Sequence, residues 1–198
     1  MTLDKFTIKA QEAVQAAVNI AQQNGQQSIE PVHLLKGVIE KGKDVTNFVF
    51  QKLGVNAQQI DTLVASEIQH LPRVQGGNVY LSNDANKVLT RAQEYATKMG
   101  DEFVSIEPIL LALLDVSSTA SRILHDAGCA EKEMTKAITE LRQGQNGYSE
   151  TDFQIKLSGV VQDVLIANGE FRKNEFLLFF ILYSNGTVWP RIWKKDTS

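Results

Sequence analysis

Two stretches of this chain, SIEPVHLL from Ser28 and SIEPILLA from Ser105, begin with the same four residues. An internal duplication limits the fold more than composition does, because it asks for two like units. Superimposing the tetrads needs a shift of 77, which sets Val38 against Asp115 and Gly25 against Glu102. A shift of 75 instead pairs Ala10 with Ala85, Val14 with Leu89, Ala17 with Ala92, Ala21 with Ala96 and Gly25 with Gly100. It also pairs Leu34 with Ile109, Leu35 with Leu110, Val38 with Leu113 and Ile39 with Leu114. Matching apolar stripes outweigh four identical residues, since the stripe decides what is buried. Further on, Leu53-Gly54 meets Ala127-Gly128 at a shift of 74, so the copies differ by one residue in the intervening loop. Each copy is a unit of about 70 residues.

Within each copy the periodicity predicts four short helices. The first runs from Asp4 to Asn24, with Phe6, Ala10, Ala13, Val14, Ala17, Val18 and Ala21 on one side and Gly25 as its stop. Its counterpart runs from Ser82 to Met99 and stops at Gly100. Second helices follow in PVHLLKGVIEKG and IEPILLALLDVS. Ser105 fits an N-cap with Glu107 and Pro108 in the first turn, and the same register makes Glu30 the cap before Pro31. Third helices are expected at about Asp44 to Leu53 and Ser118 to Asp126, and fourth helices at Asn56 to His70 and Ala130 to Leu141. The expected fold is mainly α, a pseudo-twofold pair of four-helix units lying side by side, eight short helices in all. Repeat one is residues 1–71, a Pro- and Gly-containing connector is 72–80, and repeat two is 81–145.

Residues 146–198 match neither copy. They begin as a linker, then carry Asn-Gly between β-rich runs in DVLIANGEF and FFILYSNGTVWPRIW, a signal for β-hairpins. Two or three strands do not stand alone in water, so this tail packs on the helices, meets a partner chain, or leaves apolar surface exposed. Its most apolar stretch, Phe176 to Tyr183, falls well short of the about 20 residues a membrane helix needs. The first residues, MTLDKFTIKAQEAVQ, lack the apolar centre of a secretory signal. With 20 basic and 23 acidic residues dispersed along the chain, a net charge of −3 and one cysteine, the reading is a cytosolic protein that binds neither nucleic acid nor membrane. Asn185 heads a glycosylation triplet in form only, since no export signal accompanies it.

A search for chemistry leaves little. No GxxxxGK[ST] occurs; EKGKDV around Lys43 lacks the leading glycine and the hydroxyl that would hold magnesium, so the chain alone is not expected to hydrolyse ATP. His33, His70 and His125 stand far apart, without HExxH or metal-ligand spacing, and no GxSxG is present. Cys129 has no basic neighbour to lower its pKa and reads as an inert filler. The expectation is therefore no catalytic, metal or cofactor site. What remains is the seam between the two units, which is either a peptide-accepting groove or closed core, since both use the same residue types.

FTIKAQEAV, IEPVHLLKGVIE, HLPRVQGG, KMGDEFVSIEPILLALL and RILHDAGC occur in this order over residues 1–143. In this respect the chain resembles the Clp repeat N-terminal domain, most closely that of ClpB-type disaggregases. The resemblance implies an all-helical pseudo-twofold domain that engages unfolded or aggregated polypeptide for an ATP-driven Clp ring, or docks on such a ring or its adaptor. It also implies that Thr7, Asp101 and Glu107 contribute to substrate-protein binding. Read without the resemblance, Thr7 is a helix-surface residue, and Asp101 and Glu107 favour a helix N-terminus. Leu110, Leu113 and Leu114 are read as core. Nothing after Gln143 resembles the start of an ATPase module, so the chain is either a truncated homologue or a free-standing protein that carries the repeat.

Overall fold

The structure, a computed structural model, describes residues 3–74 and 78–146. The hairpins expected in 146–198 fall, apart from Asn146, outside the described residues. Helices α1 (Ile8–Gln23), α2 (Pro31–Lys41), α3 (Lys43–Leu53) and α4 (Ala57–His70) form the first copy. Helices α5 (Asn83–Lys98), α6 (Ile106–Asp115), α7 (Thr119–Asp126) and α8 (Glu131–Asn146) form the second. Boundaries agree with the periodicity to within a turn, with α1 starting later and α8 running on through Asn146. The late start of α1 has a local cause. Thr7 is extended, at φ −60° and ψ 156°, and its hydroxyl accepts the Ala10 N–H at 3.3 Å, so Thr7 is the N-cap. Ser82, its counterpart at the 75-residue shift, caps α5 by accepting the Ala85 N–H at 3.0 Å.

Glycine stops recur at matching places. Gly25 and Gly100 follow α1 and α5 with φ of 68° and 77°, a left-handed conformation that β-carbons disfavour. Ser105 departs from expectation: it occupies the N-cap position of α6, yet its side chain makes no capping hydrogen bond. At the start of α2 the Glu30 N–H is satisfied instead by Nδ1 of His33 at 2.9 Å.

The two copies interlock. Two short parallel strands, β1 (Ser28–Ile29) and β2 (Tyr80–Leu81), pair across the copies, with Ile29 opposite Leu81. A second parallel bridge pairs Phe6 with Val104. The 75-residue shift carries Phe6 onto Leu81 and Ile29 onto Val104. Each copy's entry to its first helix is therefore held by the other copy's entry to its second. The third helices are exchanged likewise: α3 packs chiefly on α8, and α7 packs on both α6 and α4. The sequence did not reveal this because an apolar stripe says that a face is buried without saying which copy buries it.

Burial is deepest along the second helices. Leu34, Leu35 and Val38 of α2, and Leu110, Leu113 and Leu114 of α6, are at most 1% exposed, so the middle of the seam is closed core. Close approach of α1 to α2 depends on Gly37, where an added β-carbon would lie 2.1 Å from the Ala13 carbonyl oxygen. His33, fully buried, sits in a relay. Nδ1 accepts from the Glu30 N–H, Nε2–H donates to Gln26 Oε1 at 2.7 Å, and the Gln26 amide donates to the Ile68 carbonyl. Two side chains, His33 and Gln26, thus tie the start of α2 to the end of α4. Burial pushes the imidazole below its ordinary 6.5, against the opposing pull of the Glu30 carboxylate.

Gly37→Ala is expected to destabilise by at least about 1–3 kcal/mol, because helix backbones must separate; a denaturation midpoint equal to wild type would refute this. Thr7→Ala should cost about 1 kcal/mol and Thr7→Ser almost nothing, measured by urea unfolding. His33 is neutral when folded and has a depressed folded pKa, so its contribution is whole above 6.5 and declines as pH falls from there through the folded value. The thermal advantage of wild type over His33→Asn should accordingly narrow between neutral pH and pH about 5.

Candidate functional site

Below the Phe6–Val104 bridge lies a recess of about 280 Å³. It is lined by Gln93, Glu94 and Thr97 of α5, by Asp101 and Glu102 of the following loop, and by Lys5. The loop is placed by chain geometry. Gly100 ends α5 by turning left-handed, and beyond it Val104 donates its N–H to the Lys5 carbonyl at 2.7 Å and accepts the Thr7 N–H at 2.9 Å. Duplication therefore brings the entry to α1 against the entry to α6, with Phe6 paired to Val104 across the two copies.

The three residues singled out from the sequence differ in situation. Asp101 lines the recess and its carboxylate is held by the Arg142 guanidinium from α8. Thr7 stands beside Val104 and spends its hydroxyl capping α1. Glu107, in the first turn of α6 and 8% exposed, is positioned where the helix dipole favours a carboxylate. Glu102 reads from the sequence as part of a solvated helix cap, while Lys5 and Arg142 carry no signal that singles them out as site residues. A 74-residue shift sets Arg142 opposite buried Ile68.

Apolar surface flanks these polar groups. Ile8, next to Thr7, is 77% exposed, and Phe103, next to Glu102, is 46% exposed. Carboxylates can accept backbone N–H groups of an extended chain, while exposed apolar side chains take its side chains without strict choice. Among the described residues no group of His, Cys, Asp and Glu is arranged to hold a metal ion. Burial raises the Cys129 thiol to about 11, leaving it protonated and a poor nucleophile.

The first copy has a related recess of about 440 Å³, lined by Gln22, Gly25, Gln26, Gln27, Val74 and Val79 among others. Gln26 and Gln27 are the counterparts of Asp101 and Glu102. One copy presents amides where the other presents carboxylates. Gln26 is already committed to His33 and Ile68, so the same backbone position serves stability in one copy and the acidic rim in the other.

Comparison with known proteins agrees with this architecture. The family described as the Clp repeat (R) N-terminal domain matches residues 5–127. The chaperone protein ClpB of Bacteroides thetaiotaomicron is 56% identical over 151 residues, covering 76% of this chain and 18% of the relative. ClpB of Porphyromonas gingivalis is 46% identical with the same coverage, so the chain spans 18% of the length of these relatives. Among solved structures, the Hsp104 N-terminal domain from Candida albicans has a TM-score of 0.63 at 23% identity, covering 70% of this chain and 92% of that one. A complex of the ClpV N-domain with VipB peptide has a TM-score of 0.58 at 15% identity, covering 69% and 86%. At such identities the structures share the all-helical fold. From the repeat register, the interlocked helices and the match over residues 5–127, the chain belongs to the Clp repeat N-terminal domain family.

Proposed function

We propose that this domain is a non-catalytic recognition module that engages unfolded or aggregated polypeptide and presents it to an ATP-driven Clp ring. The observation that carries this reading is the acid-rimmed recess at the Phe6–Val104 junction, flanked by exposed Ile8 and Phe103. An extended segment can lay backbone N–H groups against Asp101 and Glu102 and apolar side chains against Ile8 and Phe103. Weak, broad recognition follows, because neither contact type demands a sequence.

Two comparisons support the reading. Full-length ClpB relatives are named chaperones, and a ClpV N-domain of the same fold has been solved with a peptide. Thr7, Asp101 and Glu107 are the proposed polar contacts. Binding of the domain to a Clp ring or adaptor is a further partner this module would have.

The test is fluorescence anisotropy with a labelled, reduced and alkylated client against its native form. Unfolded client should bind more tightly. Each of Ile8→Ser and Phe103→Ser should weaken binding by roughly fivefold, from the loss of about 1 kcal/mol of apolar burial, and Asp101→Asn should weaken it too. Equal affinity for native and unfolded client, or indifference to all three substitutions, would reject the proposal.

A further inference from the structure

The Asp101–Arg142 ion pair has a counterpart that lacks its chemistry. In the first copy the equivalent link between the turn after α1 and the end of α4 runs from the Gln26 amide to the Ile68 backbone carbonyl. The fold therefore needs a tether at this place, and meets that need in the first copy without a charge or an outward-reaching side chain. In the second copy the tether is a guanidinium on a carboxylate, with side chains 31% and 23% exposed. The pair is part-buried but still reached by solvent, so another charge can compete for either partner. The carboxylate of the pair lines the recess, alongside Glu102, Glu94 and Lys5.

We propose, resting on the recognition role above, that Arg142 is a specificity-determining residue: an internal stand-in for a cationic side chain of the bound polypeptide. In the free domain the guanidinium satisfies Asp101. An incoming segment carrying arginine or lysine displaces it, whereas a segment without a cation leaves the pair closed and binds only through backbone and apolar contacts. Arg142 thus acts through Asp101, lowering affinity for basic segments to a modest level and keeping the rim from being an open acidic trap. The competition is electrostatic, so it weakens as ionic strength rises.

The probes are two labelled unstructured peptides, identical except that arginines in one are glutamines in the other, titrated into the whole chain at low and high salt. Wild type should favour the arginine peptide slightly. Arg142→Gln should raise affinity for it by roughly three- to fivefold, the ceiling set by a solvent-reached ion pair, leave the glutamine peptide unchanged, and lose the gain at high salt. Asp101→Asn/Arg142→Gln should erase the gain, which a role of Arg142 in folding alone would not produce. Thermal unfolding of Arg142→Gln close to wild type confirms that the fold is intact. If Arg142→Gln weakens both peptides, or strengthens both equally, the displacement idea is wrong while recognition stands. If neither peptide nor unfolded client binds wild type, the recognition reading has failed and this inference with it.

Discussion

Covering α6 takes both copies. Nine of its residues from Ile106 to Leu114 are buried, including Ile109, Leu110 and Leu113 at 0% exposed, so it is apolar around its circumference. Helices that are hydrophobic all round belong in an interior, and one four-helix unit does not surround a central helix. Here α5, α7 and α8 come from its own copy, and α1 and α2 from the other. The interlocking of copies is the geometric answer to that demand. The cross-copy pairs Phe6–Val104 and Ile29–Leu81 hold the copies in that arrangement.

The recess is a by-product of the same answer. Pairing an N-terminal segment with a loop from the second copy leaves loops and helix starts, which carry free polar groups, clustered at an end of the seam. Because the seam's middle is closed, the proposed recognition site is this recess. Symmetry supplies two such places, and divergence distinguishes them: Gln26 is drawn into the His33 relay, while Asp101 stays at the rim under the hold of Arg142. A duplicated fold can in this way keep one copy for stability and adapt the other for binding.

Much of this was legible beforehand, and for reasons that can be named. Helix α5 was readable because Ala85, Val88, Leu89, Ala92 and Ala96 recur at helical spacing and Gly100 ends it. Thr7, Asp101 and Glu107 were singled out through motif resemblance; of these, Asp101 lines the recess, Thr7 caps α1 and Glu107 lies in the first turn of α6. Lys5 was not, since an isolated lysine before a helix carries no periodic signal. Thr7 as a cap was hidden by reading the helix from Asp4, which took a polar start for a helical one.

The sequence by itself determined the period, the helix count of each copy, the glycine stops and the absence of familiar nucleotide-binding motifs, because these depend on local spacing along the chain. Tertiary structure alone decided that α3 sits on α8, that β1 meets β2 in parallel, and that Arg142 reaches Asp101. Those pairings join residues far apart in sequence whose partners are chosen by shape and burial in three dimensions. The repeat shift shows which positions correspond; only packing shows which of them touch.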